Sequence, residues 1–408
     1  MEKHLLTLLV LLIVPYYNFN FVQGSEVKLS QAEKLAIKRR LKFINKPAIK
    51  SFVTQHGDVL DCVEVHKQLA FDHPLLKNHS IQMKPNFKIP KRAKLNDNSS
   101  SILSVSQLLP RNMRCPKGTV LIKRIQEKDL MMEISSFSTS NSSKFAHPND
   151  VQLVNEIASI GVSTPNTGAA GKINLWSLDD VKPDQLSDAT FYVRSGDGLN
   201  VNAIVAGWAV NPYLNPNSPT LYTYWTIDSG KSTCCNNALC PGFVQTSQKV
   251  TLGQALSPVS KRLGHQYFLD LSVQQDVRTK NWFLLNGEET VGYWPKELFT
   301  SLANGATQAG WGGEIKSPII EPTPAMGSGH FSKENFSVAC LMKWLELRAP
   351  QGFPDEKAIE YYMTRPECYD IWYRKSPGTN ENHDRYDDDE SSNWKNFIYF
   401  GGPPGCKH

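Results

Sequence analysis

At 408 residues the chain is long enough for two modest domains, or for one large β domain with an appendage. Its 44 basic and 39 acidic side chains leave a net charge of +5 with no long Lys/Arg run, which serves solubility and argues against a nucleic-acid partner. Eight cysteines fit an oxidising route better than the cytosol.

The chain begins with Lys3 and His4, then an apolar run from Leu5 to Tyr17 and the small or polar residues Val22-Gln23-Gly24-Ser25. The run is too short for the roughly 20 residues that cross a bilayer, so residues 1–24 are predicted to be a secretory signal peptide. No later segment is apolar enough to span a membrane, and none is expected once the signal is removed. Residues 25–130 mix one helix with turn-rich stretches. In "SQAEKLAIKRRLKFINKP", Ser30 and Glu33 make a capping box, Leu35, Ile37, Leu41 and Ile44 mark a face, and Pro47 stops the run. Residues 131–150 form a Ser- and Asn-rich linker of the kind that processing proteases cut.

From residue 151 to 408 the pattern changes. Short apolar runs such as "KINLW", "ATFYVRS", "NAIVAGWAV", "LYTYWTI" and "HQYFLDLSV" are separated by Gly, Pro and Asn clusters. This predicts an all-β domain, an antiparallel β-sandwich of two packed sheets, behind a smaller mixed α/β region. Asn286-Gly287 predicts a two-residue hairpin turn. "WPKELFTSLANG" predicts a helix that starts at Pro295, buries Leu298, Phe299 and Leu302, and ends at Asn304-Gly305. The acidic run at 387–390 is a solvated loop.

Several chemistries are excluded. No His-Glu-x-x-His stretch occurs, and His73 and His79 are read as polar loop residues, so no metal and no other cofactor is expected. "MGSGHF" (326–331) is not a nucleophile elbow, and no glycine-rich phosphate loop precedes a helix. Carboxylate chemistry or binding remains. In "WGGEIKSP", Glu314 follows Trp311 and two glycines, which leave room for a substrate backbone.

The motifs "LDCVEV", "AFDHPLLKNHSIQMKP" and "RCPKGTVLIKR" resemble the activation peptide of the plant neprosin family. "AGWAVNP", "YWTIDSG", "CPGFVQT", "GYWP", "WGGEI", "MGSGHF" and "FGGPPGC" resemble its C-terminal domain. The resemblance implies a secreted precursor, placed in the apoplast or cell wall, whose propeptide lies over a groove in a β-sandwich. Active members look like glutamic peptidases that cleave after proline with two glutamates and no metal. Proline-containing peptides or extracellular matrix proteins are then the implied partners. Glu314 matches one family glutamate, and the other position is Val205 in "AIVAGWAV". Alternation puts Ala203, Val205, Gly207 and Ala209 on one face, leaving Glu314 without a partner there. Asp228 and Asp197 are nominal substitutes, more simply read as turn residues.

A weakly active or inactive family member is therefore expected. The alternatives are an acid-active proline-directed endopeptidase and a cell-wall carbohydrate-binding sandwich. Trp208, Tyr222, Tyr224 and Trp225 are candidate ligand-binding aromatics, unless they pack inward. The resemblance also implies the disulfides Cys62–Cys115, Cys235–Cys240 and Cys368–Cys406. Cys234 and Cys340 depart from the family pattern, and their pairing stays open. Sequons at Asn78, Asn98, Asn141 and Asn335 are candidate glycosylation sites.

Overall fold

A computed structural model describes residues 31–89, 100–103, 113–130, 152–212, 218–375 and 394–408. The expected signal peptide, the linker, Ser30, Asn98, Asn141 and the acidic run lie outside these residues.

The N-terminal part opens with α1 (Gln31–Ile44). Ile37 and Ile44 are buried with Leu69, Ile125, Leu130 and Leu239, and Leu41 packs at the margin. Leu35, expected on the same face, is exposed instead. The helix stops before Pro47, where the Asn45 side chain takes over: Oδ1 accepts the Ile125 amide and Nδ2 donates to its carbonyl, each at 2.8 Å. Three strands follow in a small antiparallel sheet. They are β1 (Ala48–Val53), β2 (Val59–Glu64) and, after β3 (Ser100–Leu103), β4 (Thr119–Lys123), in the order β1-β2-β4. Cys62–Cys115 staples this unit.

The sandwich is built from β5 (Leu153–Asn166), β6 (Gly168–Asn174), β7 (Leu186–Ser195), β8 (Asn202–Val210), β9 (Thr220–Thr226) and β10 (Cys234–Asn236). It continues through β11 (Val244–Gln245), β12 (Gln266–Gln275), β13 (Trp282–Asn286), β14 (Glu289–Trp294) and β15 (Ala306–Pro318). Last come β16 (Cys340–Leu347), β17 (Glu360–Met363), β18 (Asp370–Lys375) and β19 (Asn396–Gly401). One sheet has seven strands in the order β10-β9-β8-β7-β15-β5-β17. The other runs β11-β14-β13-β12-β6-β16-β19-β18, with β3 added in parallel beside β12. Between the sheets, Ile160, Phe191, Ile204, Trp208 and Trp311 of the first meet Ile173, Leu271, Leu284, Met342 and Ile398 of the second. The strands alternate because each sheet of the sandwich has only one face in that core.

Two local expectations are corrected. Residues 294–305 do not form one helix. They make two short 3-10 turns, Lys296–Leu298 and Ser301–Asn304, separated by Phe299 in extended conformation. The cause is tertiary: Oδ1 of buried Asn202 accepts the amides of Thr300 at 2.8 Å and Ser301 at 3.0 Å, which a continuous helix would need for itself. The hairpin after β13 is present, but Asn286 pairs with Glu289, so the turn is Gly287-Glu288 with Gly287 at φ +56°. The turn is therefore one residue further along than expected.

The bridges Cys235–Cys240 and Cys368–Cys406 are formed. Cys340 is a buried thiol 3.8 Å from the Asn174 carbonyl, while Cys234 lies half-buried on β10 in the opposite sheet, so the two do not bridge each other. Asn78 and Asn335 are both exposed.

The N-terminal unit docks on the β11–β14 side of the sandwich. Gln68 and Gln245 exchange side-chain and backbone hydrogen bonds, and the Leu121 amide donates to Ser247. Farther along, Oδ2 of Asp276 accepts from Gln82 Nε2 at 2.8 Å, from the Asn86 amide at 2.7 Å and from Asn86 Nδ2 at 2.9 Å. His79, expected as a plain loop residue, is 2.8 Å from the Tyr293 hydroxyl within this interface.

Candidate active site

The seven-stranded sheet turns one face to the core and the other outward. Inward go Ala189, Phe191 and Val193 of β7, Ile204, Ala206 and Trp208 of β8, and Ala309, Trp311 and Ile315 of β15. The strand period of two therefore sends Asp188, Thr190, Tyr192 and Arg194 of β7 to the outer face. Val205 and Gly207 of β8, and Gly310, Gly312, Glu314 and Lys316 of β15, share that face. A retained acid and the position of the missing one are thus on the same surface.

Register sorts these residues into rows. Val205 is opposite Tyr224 on β9 and Tyr192 on β7, and Tyr192 is opposite Gly310 on β15. The next row is Tyr222, Gly207, Thr190, Gly312 and Ser159. The third is Ala209, Asp188, Glu314 and Ile157. Position 205 and Glu314 therefore stand on opposite sides of the Thr190 row. On a flat sheet that offset is about 13 Å along the strand and about 10 Å across it, which twist and curl alter.

Glycines make the floor between them. A Cβ at Gly312 would sit 2.2 Å from the Ala158 carbonyl oxygen, and one at Gly207 would sit 2.1 Å from that of Ala189. Side chains are shut out at both positions by neighbouring backbone. At Gly310 the space is taken by the Tyr192 ring, 2.5 Å from where a Cβ would be.

Glu314 keeps 30% of its side-chain surface exposed, enough to meet a ligand, and its Oε1 is 3.8 Å from Lys316 Nζ. Its partner in the register is an acid that sequence reasoning missed. Asp188 Oδ1 accepts the Glu314 amide at 3.2 Å and the Thr190 hydroxyl at 3.3 Å, and the residue is only 3% exposed. Burial, then the charge of Glu314, push the Asp188 carboxyl well above the usual carboxylate range. Lys316, the Glu314 amide and Thr190 oppose the shift. Glu314 thus has no acid at position 205, but a second carboxyl, Asp188, stands beside it in the register. Alternation in "LSDATFYV" does place Asp188 on the polar face, but only the pairing of β7 with β15 sets it beside Glu314.

The other candidates separate cleanly. Asp228 is a turn residue: burial raises its carboxyl, but bonds from Ser232, Thr233 and Thr226 outweigh that and bring it down to about 2. Asp197 precedes the short 3-10 turn Gly198–Asn200 and makes no side-chain cap bond. Trp208 faces the core, fully buried, with its indole N–H on the Asn174 carbonyl at 2.9 Å. Trp225 also points inward, against Phe299. Neither is available to a ligand. Tyr222 and Tyr224 lie on the outer face, where Tyr222 is buried and donates to Asn236 at 2.8 Å and Tyr224 is half-buried.

The sequence pattern of the family described as Neprosin matches residues 183–403, more than half of the chain, including every strand from β7 to β19. The chain belongs to the neprosin family. The family's Neprosin activation peptide matches residues 51–161, so that match runs from the small N-terminal sheet into β5 of the neprosin sandwich. Among solved structures, a scytalido-glutamic peptidase with a transition state analog inhibitor is 8% identical with a TM-score of 0.32, over 61% of this chain and 98% of that one. A scytalido-glutamic peptidase with a peptide based transition state analog is 7% identical with a TM-score of 0.28, over the same shares.

Proposed function

We propose that the protein is a secreted neprosin-family precursor whose seven-stranded sheet binds extended, proline-containing peptides on its outer face. Hydrolysis there is slow, because Val205 occupies one of the two acid positions that the family resemblance assigns. The observation that carries this reading is the glycine-floored face with a partly exposed carboxylate, Glu314, and a half-buried valine on the opposite bank. General acid–base assistance of the kind a second facing acid supplies is typically worth about 10²–10⁴-fold in rate. Tyr224, next to Val205 across the strand pair, offers a rigid aromatic surface for a proline ring. The N-terminal unit acts as a propeptide that holds to the β11–β14 side of the sandwich through Gln68, Gln82 and Asn86.

The test uses a fluorogenic proline-containing peptide at acidic pH with the wild type and Glu314→Gln. Slow turnover abolished by the substitution supports the reading. Turnover unaffected by it would move the chemistry to another site.

A further inference from the structure

The row that holds Val205 does not end at Tyr192. It continues across β15 and β5 through Gly310 and Gly161 to Glu360 on β17. Two tyrosine rings fill the space above those glycines. A Cβ at Gly310 would meet the Tyr192 ring at 2.5 Å. One at Gly161 would meet Tyr362 Cε2 at 2.8 Å and the Tyr192 hydroxyl at 3.4 Å. Neither glycine has a positive φ, so backbone conformation does not demand glycine at either place. The missing side chains let both rings settle against the sheet. We propose that the Tyr192 and Tyr362 rings form a second proline subsite, which selects polyproline II segments with prolines three residues apart. This deepens the peptide-groove reading above and rests on it.

The rings are held before any ligand arrives. Arg194 lies over the Tyr192 ring, its Cζ 5.2 Å from the centroid, and its Nε donates to Gln308 Oε1. Gln308 Nε2 donates to Ser163 Oγ at 3.3 Å, and the Ser163 hydroxyl donates to Glu360 Oε1 at 3.0 Å. The Tyr362 hydroxyl closes the chain by donating to Glu360 Oε2. One polar chain across β7, β15, β5 and β17 therefore ties the two rings together. The surface nevertheless stays accessible, with Tyr362 40% exposed and Tyr192 half-buried. Core packing does not explain an exposed ring fixed in this way. A preorganised contact surface does, because little side-chain freedom is left to lose on binding.

Spacing selects the ligand. Gly310 lies two strands from Val205, about 9–10 Å on a flat sheet, and Gly161 is one strand further. A polyproline II helix has three residues per turn and rises about 3.1 Å per residue, so it repeats a face every ~9.3 Å. A proline beside Val205 thus puts the proline three residues away over the Tyr192 and Tyr362 rings. At a spacing of two, the second proline turns away from the sheet. Aromatic-lined grooves take proline-rich segments by this kind of contact.

The experiment follows, by anisotropy, three fluorescein-labelled Ala/Ser peptides of equal length. One has prolines three residues apart, one has them two apart, and one has a single proline. Wild type, Tyr362→Ser and Tyr362→Phe are compared, each as the full chain and as the chain nicked within residues 131–150. Wild type should bind the three-apart peptide about threefold or more tighter than either of the others. Tyr362→Ser removes the ring and should bring the three peptides to within about twofold of one another, while Tyr362→Phe keeps the ring and the preference. The comparison of spacings in the wild type needs no variant to fold. A smaller preference in the wild type, one that survives in Tyr362→Ser, or one lost in Tyr362→Phe overturns the subsite and leaves the groove reading standing. Absence of binding of all three peptides by every form overturns the groove reading and this inference with it.

Discussion

Val205 and Glu314 share one face of the seven-stranded sheet but not one row, since Val205 is opposite Tyr192 and Glu314 is opposite Asp188. The glycine-flanked Thr190 row runs between them. A peptide laid along that row would have position 205 on one side and Glu314 on the other.

Val205→Glu should therefore raise acid-range cleavage of proline-containing peptides by about 10²–10⁴-fold. Val205 is half-buried and its neighbour at position 207 is glycine, so a longer side chain has room to project. The check is kcat/KM with a fluorogenic peptide. No gain in a folded variant would show that the groove no longer presents a scissile bond to Glu314.

Gly312→Ala should destabilise the sandwich by about 1–3 kcal/mol and weaken peptide binding. The new methyl would sit 2.2 Å from the Ala158 carbonyl oxygen and 2.5 Å from Ser159 Cα, and backbone cannot yield as a side-chain tip can. Thermal unfolding measures the first effect and anisotropy the second.

Asp276 is the acceptor on which the propeptide segment 82–86 converges. Burial raises its carboxyl, but the bonds from Asn86, Gln82, Arg278 and Thr279 win and hold it below the usual carboxylate range. Asp276→Ala should loosen this segment by about 1.5–3 kcal/mol and speed trypsin cleavage after exposed Lys88 by about tenfold or more. Because the folded-state carboxyl is depressed, the clamp is fully present above the ordinary value of 3.8 and weakens as pH falls through the depressed one.

Asp228 obeys the same sign. Its carboxyl drops from 3.8 to about 2, so its contribution is complete above pH 3.8 and is lost as pH falls through about 2. Asp228→Asn should cost about 1–2 kcal/mol near neutral pH, the shift being discounted because the turn is partly wet, and should flatten that part of the stability profile. Denaturant unfolding at a series of acidic pH values checks both.

Periodicity and turn chemistry are local, and local features were legible in the residues alone. The α1 stripe of Ile37, Leu41 and Ile44, the alternation of β7, β8 and β15, and the turn signal after β13 all follow from backbone geometry that each segment carries with it. The motif that brought Glu314 and Val205 to notice is equally local. What the chain could not reveal by itself was pairing between distant strands. Asp188 and Glu314 are 126 residues apart, and a slip of one position would send one of them into the core. The same dependence broke the expected helix at 294–305, where Asn202 captures two amides, and turned Trp208 inward, where the indole finds the Asn174 carbonyl. Tertiary structure decided these points because register and burial are collective properties of the packed sheets, set by the common core rather than by any one stretch of residues.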